Sequence, residues 1–121
     1  MAKKVATYLG VVFLVLGVVG FFARDLLGTH LSNAHNVVHL LTGAIFLFLG
    51  MRGTESAART WCLVFGAVYL LLGVVGFFAG EGADRMLAVI PGQLELGTMD
   101  HVVHLVLGAI SLVGGLASRR P

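Results

Sequence analysis

Four stretches dominated by apolar residues, Val5–Ala23, His35–Met51, Trp61–Ala79 and His101–Ala117, run through the sequence, and every carboxylate, lysine and arginine side chain falls outside them. Each is 17 to 19 residues long. As helices rising about 1.5 Å per residue they would cover roughly 26–29 Å, the thickness of a bilayer's hydrocarbon core. The chain has 121 residues, 58% of them hydrophobic and only 12% charged. A water-soluble domain this small has too little interior to hide so much apolar surface, so lipid is the solvent these segments require. The scarcity of charge excludes a disordered chain, and the single cysteine, Cys62, excludes a disulfide framework and a cysteine-rich zinc site. Eight basic residues scattered along the chain make no continuous face for phosphates, so no nucleic-acid partner is expected.

The expected fold is an all-α, up-down four-helix transmembrane bundle in contact with membrane lipids. Placing the amino terminus in the cytoplasm puts Lys3, Lys4, Arg52, Arg59, Arg119 and Arg120 on that side and leaves Arg24 and Arg85 outside. This bias predicts both termini cytoplasmic. Tyr8 and Trp61 then belong at the inner interface. The first stretch lacks a small-residue cleavage site after it and is read as a span, not a secretory signal.

The two halves repeat. Leu16–Ala23 recurs as Leu72–Ala79 at an offset of 56, and Val37-Val-His-Leu recurs as Val102-Val-His-Leu at an offset of 65. One transmembrane domain over residues 1–121 is therefore expected to consist of two tandem helical hairpins, 5–51 and 61–117. An insertion in the second outer loop, around Ile90–Leu96, accounts for the difference in offset. Glycines seven residues apart, among them Gly10 and Gly17, Gly43 and Gly50, Gly66 and Gly73, and Gly108 and Gly115, mark one face of each span as a close-packing seam.

Ionisable side chains inside a span are expensive and mark function by default. His39 lies one turn from Gly43, and His104 one turn from Gly108, so both should face the interior at a common depth. The second and fourth helices are diagonal in an up-down bundle, which points the two imidazoles at each other. The plainest reading is a polar clasp in a non-catalytic accessory or scaffold protein without a cofactor, whose expected partners are a larger membrane complex or copies of itself. Here Ser32 or Asn33 and Thr98 cap the two helices, and His30 is a solvated loop residue. The sharper reading makes His39 and His104 axial ligands of haem b or another tetrapyrrole, with Asp100 and Asn36 as supporting partners; Asp100 would accept the second N–H of His104. A metal site from His35, His39, His101 and His104 is a variant, since His-x-x-x-His and His-x-x-His place pairs near one helix face. Proton or ion movement through the outer His/Asp cluster is a further alternative, opposed by an inner half whose polar groups near mid-membrane are Thr42, Ser111 and Tyr69. No serine or cysteine nucleophile lies near the histidines, so enzymatic activity is not expected.

The segments His35-Asn-Val-Val-His-Leu-Leu-Thr-Gly43 and Asp100-His-Val-Val-His-Leu-Val-Leu-Gly108, with Pro91 before the second, resemble the two signatures of the DUF4383 group of small four-span bacterial membrane proteins of unknown function. The resemblance covers nearly the whole chain and implies the four-span fold and a bacterial envelope location. The positions that match are His35, Asn36, His39, Pro91, Asp100 and His104. His101 stands where the family pattern has asparagine, and Gly92–Met99 is longer than usual and lacks the pattern's other asparagine.

Overall fold

The computed structural model describes residues 1–25 and 28–117. Arg119 and Arg120, invoked above for topology, lie outside the described residues. Four helices, α1 (Ala2–Gly20), α2 (Asn33–Arg52), α3 (Glu55–Ala79) and α4 (Thr98–Ala117), carry most of the chain. All four are long and apolar enough to cross a membrane. Two short strands, β1 (Leu87–Ile90) and β2 (Leu94–Leu96), interrupt the α3–α4 connection.

The helix limits differ from the apolar stretches for local reasons. α2 begins where the Ser32 hydroxyl accepts the His35 amide, and α3 begins six residues before Trp61 because the Thr54 hydroxyl accepts the Ala57 amide. Such caps satisfy amides that the helix itself cannot. α4 is started differently from the expected Thr98 cap. The Asp100 carboxylate accepts the Gly97 amide, one half of a capping box, and Asp84 accepts the Thr98 amide. The long outer loop contains the antiparallel β1–β2 pair. Pro91 and Gly92 form its turn, closed by Gln93 N–H to Ile90 C=O. Gly92, at φ +79°, occupies the position of a type II turn that glycine favours.

α1 packs along α2, and α3 along α4; across the bundle α1 and α3 approach each other, while α2 and α4 are the more widely separated diagonal pair. The two helix pairs are closed by matching contacts. A methyl group on Gly10 would stand 2.6 Å from the Leu47 backbone nitrogen, and one on Gly66 would stand 2.6 Å from that of Leu112. Gly17 meets Leu40 and Gly73 meets Leu105 in the same way. In lipid, where apolar surface gains little by meeting apolar surface, close approach of this kind drives helix association. Side chains from all four helices fill the axis. Phe13 contacts Phe46 and Tyr69, Phe65 contacts Phe46 and Tyr69, and Trp61 stacks on Phe65. Beyond them, away from the β-hairpin, Ala2, Ala6, Ala58 and Cys62 are buried, and the Ser111 hydroxyl donates to the Cys62 carbonyl.

Candidate metal centre

Immediately above the aromatic column, toward the β-hairpin end, three histidines converge. His35, His39 and His104 are all buried, and each offers a ring nitrogen lying within 4.8 Å of the other two. The His35 and His39 ring centres are 4.2 Å apart, and those of His35 and His104 are 6.0 Å apart. His39 rests against Phe13 at 5.6 Å and His104 against Tyr69 at 5.1 Å. The rings therefore sit on an aromatic floor and face the gap between the separated helices α2 and α4.

Helix geometry explains which residues join this centre. Each residue turns the helix by about 100°, so a residue four positions earlier is displaced by about 40° and one three positions earlier by about 60° to the other side. His35 is four before His39 and stays on the shared face. Asn36 and His101, three before His39 and His104, rotate into the seams within the helix pairs. Asn36 donates to the Leu31 carbonyl and packs on Gly20. His101 bonds the Arg85 carbonyl at 2.8 Å and packs on Gly76. Neither the expected Asn36 support for His39 nor a His101 ligand is present in this arrangement.

Asp100 stands four residues before His104, on the shared side, yet does not bond that ring. Its carboxylate accepts backbone N–H groups from Gly97 and His30 and contacts His30 Nδ1 at 3.0 Å. One of its oxygens is 4.0 Å from His35 Nδ1. His30, expected to be merely solvated, is thus tied into the centre, and its other ring nitrogen lies 3.4 Å from Asp84. This role depends on contacts between residues some 70 positions apart, for which local sequence carries no signal.

The orientation of His35 is fixed by its Nδ1–H, which donates to the His30 carbonyl at 2.9 Å; its Nε2 then carries a lone pair. The Nδ1 atoms of His39 and His104 are buried and have no hydrogen-bond partner. A buried polar atom left so costs about 1–3 kcal/mol. The three histidines line a cavity of about 30 Å³ together with Leu16, Thr29, Leu31, Val103 and Asp100. That is room for an ion or a water molecule, whereas sites for cofactor-sized molecules occupy roughly 300–1,000 Å³. Three imidazoles, one of them tied back by a backbone carbonyl, with a carboxylate alongside, are a donor set that suits zinc and related divalent transition metals. Nitrogen ligands on one zinc stand roughly 3.3 Å apart, from Zn–N bonds of about 2.0–2.1 Å in tetrahedral geometry.

Comparison with known families gives a match over residues 3–117 to a family described as a domain of unknown function, DUF4383. No curated protein matches, and no solved structure does.

Proposed function

The chain belongs to the DUF4383 family, and from its own residues we propose that it is a metal-binding membrane protein holding a divalent transition-metal ion of the zinc class at His35, His39 and His104. In this reading it is a non-catalytic accessory of the bacterial inner membrane, with its β-hairpin end outside and both termini in the cytoplasm. The charge distribution supports that orientation: Lys3, Lys4, Arg52 and Arg59 fall at the end opposite the hairpin, and Arg24 and Arg85 at the hairpin end.

The observation that carries the proposal is the pair of unpartnered ring nitrogens on His39 and His104, beside His35 and a cavity of ion size. Three imidazoles that converge in a low-dielectric interior suit a cation that all three coordinate, leaving a fourth position for water or for a shift of Asp100. The small cavity favours an ion over a tetrapyrrole. The aromatic column favours a site with access from one side over a path through the membrane.

The test is titration of the purified protein in lipid nanodiscs with Co(II), whose visible absorption reports nitrogen coordination, followed by displacement with Zn(II). One equivalent is expected to bind. Loss of one ligand in His39→Ala or His104→Ala is expected to weaken binding by about 100-fold, a fair share of the total affinity of such sites. Wild-type protein that binds no stoichiometric Co(II), or variants that hold it as tightly, would falsify the proposal.

A further inference from the structure

The short segment Thr29–Leu31 separates two spaces. Thr29 and Leu31 line the small histidine cavity and also an open pocket of about 510 Å³ at the hairpin end. That outer pocket is bordered by Asp25, Asp84 and Glu95, against which stands Arg24, itself bonded to Asn33. His30 bridges the partition. Its Nδ1 faces Asp100, whose side chain is 1% exposed, and its Nε2 faces Asp84, whose side chain is 49% exposed. Gly97 makes the bridge sterically feasible, for a methyl group there would stand 2.4 Å from Asp84 Oδ2 and 2.6 Å from His30 Cε1.

The imidazole stands between two carboxylates, and each of its ring nitrogens faces one of them. A divalent cation at Nε2 would be held by that nitrogen and the Asp84 carboxylate together. The 3.4 Å between His30 Nε2 and Asp84 Oδ2 is close to the roughly 3.3 Å that separates two ligands on one zinc ion. Independently, the unpartnered nitrogens of His39 and His104, on residues more than nine-tenths buried, belong to rings lining the cavity that Asp100 also lines. A ligand arriving at Asp84 thus has carboxylate and imidazole donors along the whole way to the buried rings.

We propose that His30, Asp84 and Asp100 form a second, outer binding site for the same divalent cation, which is captured between His30 and Asp84 and passed by way of Asp100 to the three buried histidines. The proposal rests on the reading of His35, His39 and His104 as a metal centre. The aromatic floor makes it a one-ended route, used for both loading and release.

Stopped-flow mixing of nanodisc-embedded protein with Co(II) tests it. In His30→Ala and in the milder Asp84→Asn, association and dissociation are expected to slow together, each by about tenfold, the lower end of what a charge-lined cleft contributes to capture. Association rates equal to wild type in both variants overturn the outer site. Faster dissociation at an unchanged association rate overturns it as well, by making His30 a support of the buried centre alone. Wild-type protein that takes up no Co(II) refutes the buried centre and this proposal with it, whereas uptake at rates unaffected by either substitution refutes only the outer site.

Discussion

The contact between Gly76 of α3 and His101 of α4 provides a test of the packing logic in which the expected sign reverses. A methyl group on Gly76 would lie 2.1 Å from His101 Nδ1 and 2.2 Å from Cε1, and its three nearest atoms all belong to that ring. Ordinary contact begins near 3.4 Å, so the ring would have to retreat by more than an ångström and would lose its 2.8 Å bond to the Arg85 carbonyl. Overpacking costs about 1–3 kcal/mol, and stranding a buried polar group costs about 1–3 more. Alanine regains about 1 kcal/mol of helix propensity over glycine. Gly76→Ala should therefore destabilise by about 1–5 kcal/mol. In a His101→Ala background the obstacle is gone and only the propensity term is left, so the same substitution should stabilise by up to about 1 kcal/mol. The measurement is a double-mutant cycle on unfolding free energy in mixed micelles, followed by circular dichroism. Gly20→Ala against Asn36 should behave alike, since its three nearest atoms are those of the Asn36 side chain. A Gly76→Ala penalty that persists undiminished in the His101→Ala background would refute the assignment of the contact.

Two further outcomes bear on the centre itself. Because His39 Nδ1 is buried without a partner, His39→Leu should change metal-free stability by no more than about 1 kcal/mol, while removing the roughly 2.7 kcal/mol that metal at 100 times its Kd adds to wild type; a metal-free loss above about 3 kcal/mol would instead show that the ring serves as a structural clasp. In vesicles enclosing a zinc-sensitive dye, externally added Zn(II) should produce no more signal than protein-free vesicles give, because Phe13, Phe46, Phe65 and Tyr69 fill the axis below the histidines. Influx that depends on the protein contradicts the one-ended arrangement.

The helices were legible because lipid imposes a coarse requirement that an apolar run of sufficient length meets. Their ends were less so, because Thr54 and Asp84 set them through single side-chain bonds. The meeting of His39 with His104 was readable from the 65-residue offset and the helical period, and the same period also separates His35 from Asn36 and His101 once displacement by three is distinguished from displacement by four. The β-hairpin had a signal: Val89-Ile90 and Leu94-Glu95-Leu96 flank a Pro-Gly turn, a pattern that hairpins use. The place of His30 had none. It follows from how two loops fold over the bundle, with Asp84 and Asp100 arriving from the far half of the chain.

The departure of the two halves from each other is what turns a symmetric packing scheme into an asymmetric site. At the offset of 65, Asp100 occupies the position equivalent to His35, and His101 the position equivalent to Asn36. Two histidines at the first of these positions would place four imidazoles around the axis and no carboxylate. Two aspartates would place a pair of buried anions a few ångströms apart, which cannot both stay ionised without a cation between them. One of each leaves three imidazoles and one carboxylate, and that carboxylate is already held by the amides of Gly97 and His30. The carboxylate is therefore fixed in place before any ligand arrives, and it stands between the exposed Asp84 and the buried rings. The inserted β-hairpin follows from the same asymmetry, since it lies in the connection between Asp84 and α4 that brings Asp84 and Gly97 over His30. The second half of the chain thus supplies the carboxylates on both sides of the partition, and the first half supplies the imidazole that spans it.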